Sequence, residues 1–77
     1  MFGVRLRALR KSLGLKQVEL AQRARIRPHT LWRIEAGRSM PSVQVLSRIA
    51  EALSDVTGKR VSVDSLLRLE TSERPLP

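Results

Sequence analysis

QVELAQRARIRPHTLWRI, Gln17–Ile34, holds two apolar patterns separated by an arginine-rich break before Pro28. Leu20, Ala21 and Ala24 recur at helical spacing, and Ile26, Leu31 and Ile34 resume the apolar pattern further along. Pro28 suits a first helical position, where its fixed φ is acceptable and its missing N–H is no loss. The spacing predicts a helix over Gln17–Ala24, a turn of Arg25, Ile26 and Arg27, and a second helix from Pro28. The two cross steeply, with small Ala21 where their backbones approach, which is the sequence signature of a helix-turn-helix.

On the N-terminal side, Phe2, Leu6, Leu9 and Leu13 form one stripe of a preceding amphipathic helix, closed by Gly14. GRSMPS separates the Pro28 helix from a fourth, with Ser42 as N-cap and Val43, Leu46, Ile49, Ala50 and Leu53 as its apolar face. SDVTGKR, residues 54–60, is read as loop. A short fifth helix follows Ser62, with Asp64 in its first turn and Val63, Leu66 and Leu67 packing. No strand pairs or repeats interrupt the pattern. The expectation is an all-α fold of five helices over residues 1–70, with a flexible C-terminal tail at 71–77.

At 77 residues there is room for one small domain and none for a deep catalytic cleft with a scaffold around it. Cysteine is absent, so neither a disulfide framework nor a thiolate site is available. With a single histidine, no metal reading remains, and no cofactor is expected. There is no Ser, His and Asp arrangement and no phosphate-cradling glycine run, so an enzyme is not expected. No apolar run approaches the roughly 20 residues of a membrane span, and MFGVRLRALRKSLGL alternates charge with leucine. The expected location is the cytoplasm, in a bacterium, archaeon or phage setting.

Charge is distributed unevenly. Residues 1–38 hold ten basic side chains against Glu19 and Glu35, which accounts for the whole net charge of +8, while the rest of the chain holds five of each sign. A localised basic face suits a polyanion, because each neutralised phosphate releases condensed counterions. The plainer alternative is a solvated arginine-rich surface.

LRALRKSLGLKQVELAQRA and TLWRIEAGRSMPSVQVLSRIAEAL together resemble the Cro and lambda-repressor-like helix-turn-helix family, also called the xenobiotic-response-element type. The resemblance covers about Val4 to Leu53 and, loosely, Val63 to Leu67. It implies a five-helix lambda-repressor-like DNA-binding domain that places its third helix in the major groove, usually as a dimer on a palindromic site. The chain departs from the family pattern at Arg25, where glycine is usual in the turn, and at Arg27, where Ser or Thr usually caps helix three. The connection before helix five is also longer than usual.

On a helical wheel with Leu31 at zero, Ile34 and Glu35 share the inward side, while His29, Arg33 and Ala36 lie opposite. An arginine can donate two parallel hydrogen bonds to guanine, and a histidine can donate or accept, so His29 and Arg33 are candidate base readers. Pro28 and Trp32 flank one edge and join the base-reading candidates. Trp32 remains open between touching DNA and packing against protein. Gln17 at the start of helix two is a candidate phosphate contact, a role the resemblance also implies for the matching glutamine. Thr30, Arg27, Arg38, Lys16 and Lys11 are further candidates for it.

Arg10 falls about 40° from Leu6, and Glu35 about 40° from Leu31, on wheels stepped at 100° per residue. Inward charges without partners are costly, so Arg10 and Glu35 are expected to form a structural ion pair. The functional expectation is a sequence-specific double-stranded DNA-binding transcriptional regulator acting as a repressor and a homodimer. Two rivals stand beside it: an antitoxin-like DNA-binding partner of another protein, and a protein-interaction module anchored on Trp32. Val43, Val45, Val61, Val63 and Leu69, in the neutral half, are the expected dimer surface.

Overall fold

A computed structural model describes residues 2–71, with side chains for 2–68. Five helices follow in order: α1 (Phe2–Ser12), α2 (Gln17–Ala24), α3 (Pro28–Glu35), α4 (Val43–Thr57) and α5 (Val63–Thr71). The fold class expected from the apolar spacing is the one found, with no strand among the described residues. Apart from Thr71, which ends α5, the tail expected at 71–77 lies outside the described residues. So does the side chain of Leu69.

One core joins all five helices. Phe2 and Leu6 of α1, Leu20, Ala21 and Ala24 of α2, Leu31 and Ile34 of α3, Leu46, Ile49, Ala50, Ala52 and Leu53 of α4, and Leu66 of α5 are all buried in it. α4 packs along α2, while α1 touches both α3 and α5, so the two short helices are held from behind by longer ones. Gly3 is where α1 meets the end of α3. A Cβ there would collide with the backbone carbonyl oxygens of Ile34 and Glu35.

The first three helices end in the same way. Leu15, Ile26 and Arg38 each donate a backbone N–H to the carbonyl five residues back, at 3.2, 3.0 and 2.8 Å, and the preceding residue bonds three back. This closure places the middle residue in the left-handed region. Gly14 and Gly37 occupy it at φ 73° and 77°, and Arg25 occupies it at φ 59°. The turn between α2 and α3 therefore takes the left-handed conformation without a glycine, at a steric cost of about 1 kcal/mol. Ile26 is drawn into partial contact with the core in return.

Three expectations are corrected. Residues 54–57 are not loop, because α4 continues through Thr57. The Ser54 and Thr57 hydroxyls donate to the carbonyls of Ala50 and Leu53 at 2.9 and 2.8 Å, so both polar side chains are satisfied inside the helix before Gly58 closes it. The connection to α5 then shrinks to residues 58–62, fixed by the Val61 N–H donating to Ser54 Oγ at 2.8 Å. Val43 is not on the core face. As the first residue of α4 it lies 73% exposed, just beyond Ser42, whose hydroxyl accepts the Val45 N–H. Leu67 turns away from α5's buried Leu66 and is 40% exposed.

Candidate nucleic-acid interface

α3 is fastened on one side. Leu31 and Ile34 enter the core, and Glu35 is buried against Arg10 of α1. The structure brings the two charges together in a bidentate pair: Arg10 Nε donates to Glu35 Oε2 at 2.8 Å and Nη2 to Oε1 at 3.0 Å. Arg10 Nη1 donates in turn to the Leu15 carbonyl at 2.8 Å. Gln17 Nε2 completes the set, donating to Glu35 Oε1 at 2.9 Å. One carboxylate thus ties α1, the start of α2 and the end of α3 together. Charges removed from water this far need such a full set of partners.

The other side of α3 is open. Pro28, His29, Trp32, Arg33 and Ala36 are exposed, and Thr30 is half-buried on the edge. His29 and Trp32, one helical turn apart, stack with ring centroids at 5.7 Å and planes 14° apart. The Arg38 guanidinium, beyond the helix end, lies over the Trp32 ring at 5.7 Å from its centroid. That distance is within cation–π range.

Of the phosphate candidates, Lys11, Lys16, Arg27 and Arg38 are exposed cations, and Gln17 is half-buried with its amide nitrogen shared with Glu35. A second amide hydrogen on Gln17 Nε2 stays available to an acceptor. Lys16 precedes the first turn of α2, its backbone N–H donating to Glu19 Oε1 at 2.7 Å. Arg7 was not singled out in the sequence, yet it lines a groove of about 260 Å³ with Gln17, Trp32 and Ala36, over the Arg10–Glu35 pair. Its position one turn before Arg10 on α1 was the available signal.

A family model described as a helix-turn-helix domain matches residues 1–56. The chain belongs to that family, in its Cro and lambda-repressor-like form. It is 35% identical over 71 residues to an immunity repressor protein of Bacillus phage phi105, a match covering 92% of this chain and 49% of the phage protein. This helix-turn-helix chain thus spans about half the length of that relative. It is also 46% identical over 48 residues to an uncharacterized HTH-type transcriptional regulator of Methanothermobacter thermautotrophicus, covering 62% of this chain and 70% of that one. No solved structure matches it. The family is one of DNA-binding regulators and not of enzymes. Among the described residues, no helix is long and apolar enough to cross a membrane.

Proposed function

We propose that this helix-turn-helix protein is a sequence-specific double-stranded DNA-binding transcriptional regulator, and that it acts as a repressor by occluding promoters. The observation that carries the reading is the division of α3. Leu31, Ile34 and Glu35 are buried, while Pro28, His29, Trp32 and Arg33 are exposed in the half of the chain that holds all the net positive charge. A helix of this width fits the major groove, where Arg33 pairs with guanine O6 and N7 and His29 meets a neighbouring base edge. Gln17, Thr30, Arg27, Arg38, Lys16 and Lys11 hold the phosphate backbone on either side. Repression takes support from the phage relative's name.

The protein binds as a homodimer on an inverted repeat. Exposed Val43 and half-buried Val45, Val61 and Val63, in the half of the chain with no net charge, support a contact away from the DNA-facing charge. The test is selection from random duplexes by band shift at physiological salt. Enrichment of an inverted repeat supports the reading. Retention that depends on salt alone and enriches no sequence would overturn it.

A further inference from the structure

We infer that Trp32 is a positioning residue for His29: its indole, braced by Arg38, holds the imidazole in a set orientation before DNA arrives. This rests on the reader role proposed above for α3.

Trp32 is 43% exposed, so part of its ring is covered by the rest of the protein. On the wheel it sits on the flank, and it lines the groove shared with Arg7 of α1 and Gln17 of α2. Its ring therefore leans back toward the body of the domain. The near-parallel stack at 5.7 Å gives the imidazole a flat apolar surface to rest on, and the Arg38 guanidinium adds a cation against the same ring. Unrestrained, an exposed histidine loses rotamer freedom when it meets a base. A stack already formed in the free protein reduces that loss. Arg38 can stack by its plane and still donate from its edge, so bracing Trp32 is compatible with a phosphate contact.

The test compares Trp32→Ala, Trp32→Phe, His29→Ala and the double variant Trp32→Ala with His29→Ala, by selection from random duplexes and by thermal unfolding. His29→Ala is expected to flatten preference at one base pair of each half-site, with a loss of discrimination of about tenfold. Trp32→Ala is expected to flatten the same base pair, the double variant to do no more than His29→Ala, and Trp32→Phe to retain most of the preference. The other base pairs and the salt slope stay close to wild type. Loss at a different base pair, additive losses or unchanged preference would overturn the proposal.

A second measurement needs no DNA. Trp32 is the single tryptophan of the chain, and a protonated imidazole in contact with an indole quenches its emission. At pH about 5, where an ordinary histidine is charged, His29→Ala should brighten it in the free protein, and unchanged emission would overturn the stack. If the wild-type protein enriches no sequence, the reader role itself fails and this one with it. That outcome is distinguishable, because wild type then has no preference for a variant to lose.

Discussion

α3 carries a polar cluster on each of two sides, and the two obey opposite rules. On the inner side, Glu35 is enclosed and accepts from Arg10 and Gln17 in a fully occupied arrangement. On the outer side, His29, Trp32 and Arg38 are exposed and meet through ring faces, leaving their hydrogen-bonding edges to the surroundings. Removal from water makes the inner cluster a matter of stability. Exposure leaves the outer one free to meet a ligand. The difference shows that chemical type alone does not decide whether a polar side chain is enclosed or left open to a ligand; the helix face does.

Breaking the inner side should give the largest effect. Glu35→Ala strands the Arg10 guanidinium and is expected to cost about 3–5 kcal/mol in chemical or thermal unfolding. Replacing both partners together, as Arg10→Met with Glu35→Leu, should recover much of that loss, because no charge is then left buried unpaired. A Glu35→Ala protein that melts with wild type would remove the distinction between the two sides.

A smaller loss is expected where α1 reaches the end of α3. Gly3→Ala forces a Cβ onto the Ile34 and Glu35 carbonyls, at a cost of about 1–3 kcal/mol of overpacking, read as a lower denaturation midpoint. Smaller still and opposite in sign, Arg25→Gly relieves the left-handed turn between α2 and α3 and should stabilise by up to about 1 kcal/mol. On α1, exposed Lys11 gives the smallest effect: Lys11→Ala should leave stability and sequence preference alone and lower the salt slope of DNA affinity by about one unit.

Much of this was legible in the sequence, for identifiable reasons. The bounds of α2 and the start of α3 follow from Gln17, Pro28 and the apolar spacing, and the structure has them there. The inward placement of Arg10 and Glu35 was readable because each lies a small angle from a core leucine on its own helix. The extension of α4 was hidden, since Ser and Thr read as loop formers until their hydroxyls are seen bonded to carbonyls one turn back. Gly3 was equally hidden, because a close approach between α1 and α3 leaves no local pattern. The His29–Trp32 stack could have been suspected from spacing alone. Arg38 over Trp32 could not, since it depends on how the chain leaves α3 through Gly37.

If the exposed side of α3 reads bases, Arg33 is the side chain whose loss should show it. Arg33→Ala should be compared with wild type on a selected duplex and on duplexes altered at each position, at one fixed salt concentration. The expected result is a loss of about 1–3 kcal/mol of binding together with relaxed preference at one guanine in each half-site, and an unchanged melting temperature. A uniform weakening across all sequences, with every base preference intact, would contradict it.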